Sequence, residues 1–118
     1  MENFRKCNVW EKSRILLLSI YKVADSFPKN ERVNIGICMK NCCVANLSNV
    51  MRLCNFGKQN SFEKMTQLSI SIMDRLKEYL ENARDQKILK RSDFEYLIHK
   101  TNEIKCLLTC NTGRLIHN

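Results

Sequence analysis

A single proline, Pro28, lies between two long apolar runs in a chain that otherwise holds only three glycines. Proline suits a turn or the first turn of a helix but not a helix interior. One helix must therefore stop at Phe27-Pro28-Lys29 and another begin beyond it. Asn30 is suited to cap that second helix, and Glu31 to sit on its positive end. With so few breakers, 118 residues are spent mainly on long helices packed back to back.

The apolar periodicity predicts four helices, over about 6–26, 30–55, 61–85 and 92–113, within one domain spanning 1–118. In the first, Trp10, Leu17, Tyr21 and Ala24 recur at helical spacing, with Leu16, Ile20 and Val23 beside them. In the second, Ile35, Cys38, Met39, Cys42, Cys43, Asn46 and Val50 form one stripe. Val33, Ile37, Val44, Leu47 and Met51 lie partly on another. Gly57 is a plausible stop, and Asn60 or Ser61 a cap for the third helix, in which Phe62, Met65, Ser69, Ile72, Met73, Leu76, Tyr79, Leu80 and Ala83 keep the helical period. Ser92-Asp93-Phe94-Glu95 reads as a capping box opening the fourth, whose stripe is Phe94, Leu97, Ile98, Thr101, Ile104 and Leu108, with Gly113 as its stop. No alternating run competes as a strand. The expected fold is all-α, an antiparallel up-down-up-down four-helix bundle. The doubled stripes on the first two helices point to self-association or to a wide core.

Twenty Lys and Arg against twelve Asp and Glu give a formal charge of +8. The excess is uneven. No acidic residue lies between Glu31 and Glu63, where Arg32, Lys40, Arg52 and Lys58 stand, and Arg84, Lys87, Lys90 and Arg91 surround the third connection. A surface of this sign favours polyanions such as nucleic acid, or an acidic protein partner; charge serving solubility is the plain alternative. The cations of the second helix point in differing directions, so a monomer offers a diffuse field. A symmetric oligomer repeats each cation around a ring and would concentrate it. With no groove-reading motif, binding is expected to follow the nucleic-acid backbone.

Seven cysteines, an odd count without a secretion signal, suggest a reduced, cytoplasmic setting with thiols as small apolar fillers. The longest apolar run, Ile15-Leu16-Leu17-Leu18, is far short of a membrane span. Cys38/Cys42 and Cys106/Cys110 are i, i+4 pairs that could together offer four thiolates to zinc, but structural zinc favours tighter spacings on knuckles. The only histidines, His99 and His117, sit in the last helix and tail, with no orienting third group for a Cys–His nucleophile. Asp74, Glu78, Glu81 and Asp85 interleave with Arg75, Lys77 and Arg84 as a solvated, salt-bridged face. No phosphate loop is present. The chain is expected to be no enzyme and to need no metal or cofactor.

Three stretches carry a resemblance. Phe4-Arg5-Lys6-Cys7-Asn8-Val9-Trp10-Glu11-Lys12, the Ile20-Tyr21 step and Phe27-Pro28-Lys29-x-Glu31-Arg32 resemble a superfamily of small bacterial four-helix bundles. It includes the intervening-sequence proteins encoded within large-subunit ribosomal RNA genes and the accessory variability determinants of diversity-generating retroelements. Intervening-sequence proteins carry Ser-x-Pro-x-Asn-Ile-Ala-Glu-Gly in the second helix. The corresponding Ala45-Asn46-Leu47-Ser48-Asn49-Val50-Met51-Arg52-Leu53 keeps the Asn but lacks the Pro, Glu and Gly. The uninterrupted second helix, Cys54-Asn55-Phe56, Asp74-Arg75-Leu76 and Asn102-Glu103-Ile104 are more similar to the retroelement branch. Family members commonly have two alanines where Cys42-Cys43 stand, which speaks for small packing residues.

The resemblance to that branch implies a basic, barrel-like homopentamer. It implies binding of RNA or DNA and of the element's reverse transcriptase, in support of mutagenic copying of a template RNA into complementary DNA. Arg32, Lys40, Arg52 and Arg75 are the candidate nucleic-acid contacts. Arg75 matches the first of two third-helix cations of the branch, while Glu78 and Tyr79 stand around the second, and Lys105 replaces a late glycine. An intervening-sequence-type bundle, or a protein-interaction module without nucleic-acid binding, is the alternative.

Overall fold

The computed structural model describes residues 7–55 and 62–117, with side chains described through residue 109. Among these residues the structure is entirely helical and has no strand. Helix α1 spans Asn8–Asp25, α2 Lys29–Glu31, a π-helical stretch Arg32–Gly36, α3 Ile37–Asn55, α4 Phe62–Asp85 and α5 Arg91–His117. The α2, π and α3 segments run on without a gap, so four helical rods result. The second rod packs against α1 and α4, and α5 packs against α4 and α1.

The core follows the 3.6-residue repeat. Leu16, Ile20 and Ala24 of α1 meet Met39, Cys43 and Val50 of α3, Met73, Leu76 and Leu80 of α4, and Leu97 and Ile104 of α5, all essentially inaccessible. In α1 the structure selects Leu16, Ile20 and Ala24. Trp10 and Leu17 fall on the flank, half-buried against the core, and Tyr21 is exposed. The two α1 stripes are adjacent, and only the neighbouring helices decide which one faces inward.

Polar side chains buried between the rods fix their register. Asn46 donates from Nδ2 to Ser13 Oγ at 2.9 Å, linking α3 to α1. Asn49 donates from Nδ2 to the Met65 carbonyl at 2.6 Å and to Ser69 Oγ at 2.8 Å, linking α3 to α4. At the rim Lys40 meets Asp25 at 2.7 Å, Lys12 meets Glu103 at 3.1 Å, and Lys105 meets Asp74 at 2.6 Å. A one-turn slip would strand the buried amides, at a cost of roughly 1–3 kcal/mol for each unsatisfied group.

Several local expectations are corrected. Asn30 does not cap the second rod. Pro28, with φ −54° and ψ 153°, holds the cap position, and its carbonyl accepts from the Arg32 N–H at 2.8 Å. The proline ring fixes an extended residue directly before a helix, so the helix starts at Lys29 and Asn30 lies inside it. The second rod, expected as a regular helix, widens to π geometry over Arg32–Gly36. Ser92 is likewise not a cap. Buried Leu89 anchors the chain, α5 starts at Arg91, and the Phe94 N–H reaches the Lys90 carbonyl at 2.8 Å. Gly113 does not stop α5, which continues to His117; one interior glycine costs only about 1 kcal/mol against alanine. Gly57, Asn60 and Ser61 lie outside the described residues.

The stop of α4 uses no glycine. Lys87 takes φ 62°, and the Ile88 and Lys87 N–H groups bond to the Ala83 and Arg84 carbonyls at 2.9 Å each. This is a Schellman closure with a lysine in the left-handed position. The cysteines bring the largest correction. Cys7 and Cys54 are joined by a disulfide, against the expectation of thiols throughout. Two well-placed helix ends bring them together, which an odd cysteine count could not reveal. Cys42 and Cys43 do serve as small core residues.

Candidate nucleic-acid interface

The four candidate cations stand on the outside of the bundle and do not converge. Arg32 is exposed in the π stretch, and Arg52 is exposed twenty residues later on the same rod. At about 1.5 Å per residue that is roughly 30 Å of helix. Arg52 Nη2 reaches Asn49 Oδ1 at 3.5 Å, so it stands over the amide that ties α3 to α4. Lys40 is committed locally: it pairs with Asp25 and lies 4.9 Å above the Tyr21 ring. Arg75 is exposed on α4, close enough to Cys42 to favour its thiolate. Within one chain these are separate points of positive charge.

Exposed apolar residues stand among them, beside exposed Asn34, Asn41 and Ser48. Val33, Ile37 and Val44 are 54%, 43% and 47% exposed along the second rod, and Leu18 of α1 is 54% exposed. Val33, Ile37 and Val44 are the exposed part of the second stripe of the sequence pattern; its Leu47 and Met51 are half-buried. At the π stretch the stripe borders an open groove of about 520 Å³, lined in part by Ile35, Cys38, Tyr79, Asn82 and Ile88. The π stretch carries Val33 at the edge of this groove.

Burial raises the Cys42 thiol above its ordinary value, with Arg75 opposing the shift only in part. Burial raises Cys43 further. Tyr79 is raised by a hydrogen bond it shares with Cys38. Thiols held protonated are poor nucleophiles and poor metal ligands. Among the described residues no group of three or more His, Cys, Asp or Glu side chains is placed to hold a metal ion. Asp74, expected within a salt-bridged face of its own helix, instead pairs across to Lys105 of α5. His99 is exposed, and no described helix is long and apolar enough to cross a membrane.

The arrangement is that of a small helical bundle with cations and exposed apolar residues on its outer faces. The family model described as 23S rRNA-intervening sequence protein matches residues 5–110, and the chain belongs to that family. No curated protein matches the chain.

Proposed function

We propose that the chain is a cytoplasmic, non-enzymatic accessory subunit of a diversity-generating retroelement. In this reading 1–118 is one antiparallel up-down-up-down bundle, and five copies assemble through the second rod. The assembly binds the backbone of RNA or DNA together with the element's reverse transcriptase, supporting template-primed mutagenic synthesis of complementary DNA. The observation that carries the reading is the outward apolar stripe of Val33, Ile37 and Val44 on the rod that also bears Arg32, Lys40 and Arg52. Burying that stripe between copies repeats the scattered cations around an axis and concentrates the field that one chain spreads out. The residues at Asp74-Arg75-Leu76, and the absence of a proline from α3, support the retroelement branch.

Two measurements test this. Sedimentation of the intact chain should give about five times the monomer mass, and Val44→Glu with Ile37→Glu should reduce it to one copy without lowering the melting temperature. Gel shift at low salt should show binding that weakens steeply as salt rises, and Arg52→Glu with Arg75→Glu should abolish it. Absence of binding, by the assembly alone and with the polymerase, would overturn the nucleic-acid role.

A second reading is favoured by the family match itself: an intervening-sequence-type bundle, or a module that only captures protein, with its charge meeting an acidic partner. Loss of partner capture in the charge-reversed variant, with nucleic-acid affinity unchanged, selects that module. A reverse-transcriptase gene beside a near-duplicate pair of repeats selects the retroelement subunit.

A further inference from the structure

The Cys7–Cys54 disulfide has no part in the proposed assembly or nucleic-acid binding, and its position differs from that of a bond inside a core. It joins the residue just before α1 to the next-to-last residue of α3, across 47 positions of sequence. Both cysteines are only half-buried, within reach of a small reductant. Cys7 is the N-cap of α1, and its carbonyl accepts from the Trp10 and Glu11 N–H groups at 3.1 and 3.2 Å. Its side chain makes no capping hydrogen bond, and the cross-link is what ties this turn to α3. Beyond its first turn α1 is held by its own buried residues, Ser13, Leu16, Ile20 and Ala24.

We propose that Cys7–Cys54 is a redox-operated clasp, opened by a dithiol reductant and closed by a disulfide oxidant, which sets whether the first turn of α1 is docked or released. The two sulfurs are electrostatically unequal. Cys7 lies at the positive end of an 18-residue helix, which favours its thiolate, whereas Cys54 lies at the negative end of α3. A donor thiolate attacks Cys54 Sγ, the S–S bond breaks, and Cys7 departs as the better leaving thiolate. The donor's second thiolate then displaces Cys54, which takes up a proton. The donor leaves as its own disulfide, having supplied two electrons. Closure is the reverse with an oxidised donor.

Trp10, the only tryptophan, is one turn from Cys7 and packs against the core, so it reports the state directly. The intact chain is equilibrated in buffers of graded dithiol-to-disulfide ratio and quenched with an alkylating reagent. Labelling is then read by site, alongside Trp10 emission and amide exchange. The expected result is one two-electron transition in which Cys7 and Cys54 become labelled together and Trp10 emission shifts to the red. Exchange over residues 8–11, the first turn, should rise at least tenfold, while the amides around Phe27 stay protected. Cys54→Ser should show the released signature without reductant, and Cys106→Ser should leave the transition unmoved. Alkylation of Cys7 and Cys54 in the oxidised sample overturns the proposal. So does reduction without change at Trp10 and residues 8–11. Equal loss of protection around Phe27 on reduction of the unaltered chain also overturns it, because the bond is then a staple of the whole fold.

Discussion

The two ends of this bundle are closed by different physics. At the corner end Phe27 is 4% exposed, and Gly36 lies against it and against Ala24. Leu89 and Phe94 are buried beside the α4–α5 turn, with the Arg84 guanidinium 4.4 Å from the Phe94 ring centre. Closure there is mostly apolar packing, indifferent to redox state and almost indifferent to pH. At the opposite end the Cys7–Cys54 bond and the Lys12–Glu103 pair join α1 to its neighbours. That end answers to reductant and to acid. One small fold thus has a fixed end and a conditional one.

The largest effect that would break this contrast is at the corner. Phe27→Ala should cost about 3–5 kcal/mol, because an aromatic ring is removed from a closed site. Urea melts should show the same loss with and without reductant; a loss that changes with redox state would mean the two ends are coupled. Next in size, Cys54→Ser or reduction should remove at most about 4 kcal/mol, the chain-entropy ceiling for a loop of this length. Its melting curve should match that of the reduced parent.

A smaller effect concerns acid. The Lys12 ammonium beside Glu103 holds that carboxyl below its ordinary value. A lowered folded value means the contribution is present above the unfolded pKa, near 4.5, and is lost as pH falls through the folded one. Glu103→Gln should flatten that part of the stability–pH curve and cost under about 1 kcal/mol at neutral pH, because the pair is part-exposed. The smallest effect returns to the corner. A Cβ on Gly36 would meet the Glu31 carbonyl oxygen at 3.4 Å, Ala24 at 3.5 Å and Phe27 at 3.7 Å, all ordinary contacts, and no described glycine has positive φ. Gly36→Ala should therefore stabilise by about 0.4–1 kcal/mol through the unfolded chain, read as a small rise in melting temperature.

Much of the core was readable in the sequence because the helical repeat is strong. Leu97, Thr101 and Ile104, or Met73, Leu76 and Leu80, could hardly face anywhere but inward once their helices form. The boundaries were harder. Ser92 looked like a cap by spacing, yet Leu89 settled where α5 begins, and burial outweighed a capping preference of about 1 kcal/mol. Lys87 in the left-handed region gave no sequence signal, since nothing but packing beyond the turn compels it. Of the candidate interface, residue type was legible and placement was not: Arg32, Lys40, Arg52 and Arg75 are basic by sequence and dispersed by structure.

By itself the sequence determined the class of fold, because the one proline, the scarcity of glycine and the 3.6-residue repeat are local and leave long helices as the only way to bury the apolar residues. Only the tertiary structure decided which of two apolar stripes on the second rod faces the core. It also brought Cys7 to Cys54 and widened Arg32–Gly36 into a π turn. The choice of stripe and the cysteine pairing depend on which neighbours arrive across dozens of residues, and local periodicity carries no record of them.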